Sequence, residues 1–302
     1  MSESPPRVRW LAWALGIFPL GLFIGGVVAL WWNFHSEKER EALEHQRYAH
    51  EVSESLMADD VKKFIEVIGE RNPSSETTSQ NLSRTLSMIE GLLGPSNTGY
   101  TVHRHRGPAQ WPLLSVVVTG KNPGAAPVWV VTSCDSRTGS PGSEANATGM
   151  AATIAAAQSL AREKPNRPLH FVFLPHSNDS NSPVIDTAAA LKKLIESGPT
   201  PAAVLCVEAM GAGNSLWLSS RDTASLPLSR YQDLGSVYGA EILCLGDDVD
   251  LSSTLFEMNL PAVRIATRAM VSPEEADEKL PDIQKLTTST GRLIELIRRC
   301  LR

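Results

Sequence analysis

The sequence predicts an α/β protein. It reads as a three-layer sandwich on a mixed, mostly parallel sheet of about eight strands, preceded by one N-terminal transmembrane helix. Three observations carry this. From residue 128 onward, short apolar runs such as VWVV and FVFL alternate with longer helical segments, the pattern of parallel strands covered on both faces. Trp10 to Trp32 reads WLAWALGIFPLGLFIGGVVALWW without one charge, enough helix to cross about 30 Å of hydrocarbon. A chain of 302 residues, 42% hydrophobic, can bury one large core or two small ones.

The elements follow in order. Residues 1–9 form a short tail. In the span 10–32, tryptophans stand at both ends, where their rings favour the interface, and Pro19 is tolerable in a lipid-embedded helix. The run continues into the charged HSEKERE rather than a small-residue cleavage site, so an uncleaved anchor is expected. Gly21 and Gly25 form a G-x-x-x-G pair that can seat a partner helix. Residues 33–72 read as an amphipathic helical lead-in, with Leu43, Val52, Leu56, Val61, Phe64 and Val67 near helical spacing. Residues 73–302 read as the α/β domain. There PSSETTS is a loop and helix start, and a helix over 81–93 stops at Gly94-Pro95. Strands are expected at 100–106, 113–120, 128–133, 169–175, 202–211, 216–220, 241–246 and 262–267. Helices are expected at 145–162, 184–197, 226–238 and 284–301.

Composition excludes several classes. A net charge of −5 with no basic stripe argues against nucleic acid as partner. The four cysteines, Cys134, Cys206, Cys244 and Cys300, show no C-x-x-C spacing, which removes zinc-finger and thioredoxin readings. His103 and His105 alternate on one strand face, but a pair falls short of the three or four ligands that zinc uses. The lysine and arginine bias around the span is weak; a short retained tail favours a cytoplasmic N-terminus and an extracytoplasmic, periplasmic domain.

In parallel sheets, sites form in loops beyond the carboxyl ends of the strands. The loops to examine follow Val131, Leu174, Val207 and Ile265. They carry VTSCDS, PHSN, CVEAMG and ATRAMVSPEE, and the helix after the first opens as PGSEANATGMAA.

The order of these landmarks from about Tyr48 to Leu301, including DLSSTLFEMNLPAV and SPEEADEKL, resembles the zinc aminopeptidases with two co-catalytic metals, whose relatives include the glutaminyl cyclases. The resemblance implies a zinc-exopeptidase-like sheet. It also implies two zinc ions clamping an activated water and the scissile carbonyl, held by histidines and carboxylates, with a Glu as general base. Residue by residue, the His-x-Asp of the family falls on Ser133, Cys134 and Asp135. The bridging Asp falls on Ala145, before Asn146. The Glu-Glu pair falls on Ser177 and Asn178, the later Asp on Glu208, and the final His on Val271. The Ser-Asp-His-like stretch falls on Asp250, Leu251 and Ser252. Of these ligand and base positions only Glu208 keeps a carboxylate placed to touch a metal directly. Ser, Ala, Asn and Val cannot replace imidazole or carboxylate as zinc ligands, so zinc is expected in the family and absent here.

A rebuilt nucleophile from Ser133, Cys134, Asp135, His176 and Ser177 lacks the G-x-S-x-G elbow. An active zinc exopeptidase with displaced ligands is the competing reading. The expectation is a membrane-anchored, catalytically inactive aminopeptidase-like protein. It would contact lipid through residues 10–32 and a protein partner or a second copy in the membrane. Its role would be that of a scaffold, a peptide-end receptor or a subunit of a membrane complex.

Overall fold

The computed structural model describes residues 24–36, 52–175, 177, 184–220, 250–272 and 275–302, and the backbone of 240–244. The chain divides into two compact units, Met1–Tyr48 and Ala49–Arg302. In the first, residues 24–36 form a helix, α1. Its apolar side chains stand uncovered, with Leu30, Trp31 and Trp32 at 60–69% exposure. Trp31 stacks on His35 one turn on, centroids 5.2 Å apart. No helix among the described residues is long and apolar enough to cross a membrane; the first part of the expected span, 10–23, lies outside them.

The second unit starts earlier than residue 73. Helix α2, Glu54–Lys62, runs into a π turn, Lys63–Ile68. Met57, Val61, Phe64 and Ile65 enter the main core. Residues 54–72 therefore belong to the α/β unit rather than to a separate lead-in, because their apolar face is spent on its core. Helix α3, Glu76–Leu93, begins five residues before the expected start. Ser75 caps it reciprocally: its hydroxyl accepts from Thr78 N–H, and the Thr78 side chain accepts from Ser75 N–H.

Eight strands follow: β1 (His103–Arg106), β2 (Pro112–Val118), β3 (Val128–Ser133), β4 (Leu169–Leu174), β5 (Ala203–Val207), β6 (Leu216–Ser220), β7 (Ala240–Cys244) and β8 (Ala262–Ala266). They form one sheet in the order β1-β2-β4-β3-β5-β8-β6-β7. The central strands β4, β3, β5 and β8 are parallel, as are β6 and β7. The pairs β1–β2, β2–β4 and β6–β8 are antiparallel. Every residue of β3 is buried, which explains its unbroken apolar run.

Helices cover both faces. Helix α4 (Thr148–Leu160) and the last helix, α7 (Ile283–Cys300), share the larger core with α2, α3 and alternate residues of the sheet such as Val130, Phe171 and Leu205. Helices α5 (Val184–Ile195) and α6 (Leu251–Glu257) cover the other face, over Trp129, Val131, Val172 and Val204. The expected helix at 226–238 lies outside the described residues. Because β3, β4, β5 and β8 run the same way, their carboxyl ends converge on one rim, where the four loops named above meet.

Candidate functional site

That rim holds a cavity of about 130 Å³. Ser133 from the end of β3, Ala145 and Asn146 from the turn before α4, Ser177 after β4, Glu208 after β5 and Val271 after β8 all line it. Asp250, Leu251, Arg264 and Met270 complete its main wall. Five of the seven positions that the sequence singled out thus share one cavity. Asp135 lies behind it, fully buried, and accepts a 2.7 Å hydrogen bond from Ser177 N–H. It joins the loops after β3 and β4. Asn178 and His176 lie outside the described residues.

The local backbone explains the convergence. Gly142 takes a left-handed φ of 59°, and a Cβ there would sit 2.5 Å from the Asn146 side-chain oxygen, so only glycine fits. The chain then makes a π turn, Ser143–Ala147, before α4. Asp277, from the loop before α7, receives the Glu144 and Ala145 N–H groups on its two carboxylate oxygens, at 2.6 and 3.0 Å. It satisfies donors that a helix start leaves open. Glu144 in turn accepts from Gly211 N–H at 2.8 Å, tying this turn to the loop after β5. Burial pushes the Glu144 carboxyl above the usual range. At Gly149, a Cβ would come within 3.0 Å of the Glu208 Cα. The absent side chain lets α4 lie against the end of β5 and sets Glu208 in the cavity wall.

Three charged residues line the cavity among those described: Glu208, Asp250 and Arg264. Arg264, in the middle of β8, is 1% exposed. Its Nε donates to Glu208 Oε2 at 2.8 Å and lies 4.0 Å from Asp250 Oδ2. Its Nη1 donates to the Arg268 carbonyl at 3.0 Å. Burial raises the Glu208 pKa, and Arg264 opposes that rise. Asp250 caps α6: its carboxylate accepts from Ser253 N–H at 2.7 Å and from the Ser252 hydroxyl. Both carboxylates are therefore committed within the protein.

This donor set does not fit zinc. Serine, alanine and valine stand at the ligand positions that the resemblance assigns, and the remaining carboxylate is held by a guanidinium. Among the described residues no three His, Cys, Asp or Glu side chains are grouped so as to hold a metal. Nor does a thiol among the described residues line the cavity. Cys134 is fully buried in the larger core, its Sγ donates to the Leu174 carbonyl at 3.1 Å, and burial pushes its pKa well up. Away from the rim, His105 bonds the Ser115 hydroxyl at 2.7 Å and His170 stacks on Trp129 at 4.0 Å.

Sequence reasoning missed Arg264 and Asp277. A signal existed for the first, since AVRIA places one charge inside a buried strand, where an arginine needs a partner. The second had none, because Asp277 acts on residues more than 130 positions away.

The sequence matches no family model and no curated protein. Solved structures are similar in fold. The LapA aminopeptidase of Legionella pneumophila superposes with a TM-score of 0.64 at 15% identity, over 84% of this chain and 76% of that one. The glutaminyl cyclase of Porphyromonas gingivalis gives 0.61 at 12% identity, over 82% and 99%. A Zn-dependent exopeptidase of Parabacteroides distasonis gives 0.57 at 13%, over 82% and 99%. The chain thus carries, over most of its length, the fold shared by these aminopeptidases, cyclases and zinc exopeptidases.

Proposed function

We propose that this chain is a membrane-anchored, catalytically inactive member of the aminopeptidase-like fold, acting in binding, in scaffolding or as a subunit of a membrane complex. One observation carries the reading. The cavity where the fold would assemble its metal ligands is lined instead by Ser133, Ala145, Ser177 and Val271, with Glu208 held by Arg264. Among the described residues of this rim, no side-chain set suits a metal and no carboxylate is free to act as the base that would generate hydroxide near neutral pH. The anchor rests on the charge-free run 10–32 and on the uncovered apolar helix 24–36. The N-terminus would face the cytoplasm and the domain the periplasm, with lipid around the span and a protein partner or a second copy beside it.

The test is an assay of the purified, detergent-solubilised chain on aminoacyl and N-terminal glutaminyl substrates, with zinc supplied. The reading expects no turnover above the buffer rate. Turnover lost on chelation and restored by zinc would overturn it.

A further inference from the structure

We propose that Arg264 takes over the electrostatic role of the metal ions in this cavity: it is a built-in cation that neutralises Glu208 and Asp250 and closes the pocket to divalent ions. This rests on the correspondence between the cavity and the metal site that the resemblance implies.

A pocket that gathers carboxylates away from water needs positive charge nearby, or its acids stay protonated and the fold pays for their burial. A divalent ion answers that need only when it is bound. Arg264 answers it permanently, because it is part of the chain and does not dissociate as a bound ion does. Its position is fixed from three sides: Glu208 Oε2 at 2.8 Å, Asp250 Oδ2 at 4.0 Å and the Arg268 carbonyl at 3.0 Å. The side chain rises from the middle of β8 with 1% exposure, so it cannot swing out to solvent and leave room for an ion. An incoming dication would meet a fixed positive charge and would have to take Glu208 from it. The protection therefore does not depend on missing ligands alone. It also accounts for a charged residue inside an otherwise apolar strand, AVRIA.

The experiment uses the full chain in detergent. A triple variant, Ser133→His/Ala145→Asp/Val271→His, adds donors at the assigned ligand positions around Glu208. It is prepared with Arg264 in place and with Arg264→Ala, and zinc affinity is measured by titration and elemental analysis. With Arg264 retained, zinc binding should be at least about tenfold weaker than with Arg264→Ala. Equal, tight binding in both would overturn the role of Arg264 and leave the cavity assignment standing. No binding in either would overturn the assignment, and the proposal with it.

A double-mutant cycle needs no metal and no restored ligands, and it decides alone if the triple variant does not fold. Arg264→Met should lower the melting temperature by roughly 5–10 °C, because it leaves Glu208 without its counter-charge. Glu208→Gln in the Arg264→Met background should recover at least about half of that loss. Additive losses would show that the pair carries no such compensation.

Discussion

Among the described residues, two arginines are almost wholly withdrawn from water, Arg71 at 0% and Arg264 at 1% exposure, and their surroundings differ. The side-chain hydrogen bonds of Arg71 all go to backbone carbonyls, its Nη2 is buried without a hydrogen-bond partner, and Asp135 and Asp277 act on its charge only at a distance. Its Nε donates to the Cys134 carbonyl at 2.9 Å, and its Nη1 reaches the carbonyls of Phe64, Gly69 and Pro141 at 3.2, 3.0 and 2.7 Å. It bolts the π turn after α2 to the loop after β3. Arg264 meets carboxylates and sits in a cavity wall. The first charge is dispersed over carbonyl dipoles, and burial depresses its pKa to about 10. The second is matched against Glu208 and Asp250 in the wall of the rim cavity. The difference teaches that burial alone does not mark a functional charge; what surrounds it does.

Breaking Arg71 should have the largest effect. Arg71→Leu leaves several buried carbonyls without a donor, at about 1–3 kcal/mol each where no water replaces it. The melting temperature of the chain should fall by about 10 °C or more, and Arg71→Lys should rescue little, because an ammonium cannot reproduce the fork. A loss under about 3 °C would show that water replaces the side chain. The Arg264→Met variant should cost less, and unlike Arg71→Leu it should be repairable from a single second site, Glu208.

The smallest effect sharpens the contrast from the acid side. Asp60, in α2, is a half-buried carboxylate on which a lysine, not an arginine, acts. Lys63, the cation that acts on it, is 46% exposed and paired with Asp59. Desolvation raises the Asp60 pKa to about 6. With the folded value above the unfolded one, its stabilising contribution is full below about pH 4 and is lost as pH rises through 6. Asp60→Asn should leave thermal stability unchanged at pH 4 and raise the melting temperature by roughly 2–5 °C at pH 8. A loss at pH 8 would mean that the ionised form has a compensating partner.

Much of the fold is legible in the sequence. VWVVTS and LHFVFL predict buried strands because both faces of the sheet are covered, whereas β1, HRHR, is an exposed polar strand read from its place before a turn. The start of α3 was less legible, since Ser75 and Thr78 form a capping pair without the usual Glu or Gln. The membership of residues 54–72 was hidden because an amphipathic helix reads the same whether it packs on its own domain or on a partner. For the site, the order of landmarks placed Ser133, Ala145, Ser177, Glu208 and Val271 in one cavity. That alignment could not show how Glu208 is neutralised. The partner, Arg264, lies 56 residues further on, and only the pairing of β5 with β8 brings the two together.

The central claim, that the rim cavity holds no metal, is tested most directly by melting the chelator-treated full chain with and without excess zinc. Any ion that binds the folded form alone raises its stability by about 2.7 kcal/mol at a hundredfold excess over Kd. The account predicts melting temperatures equal to within about 1 °C. A saturable rise of roughly 5 °C or more, abolished by Glu208→Ala, would contradict it.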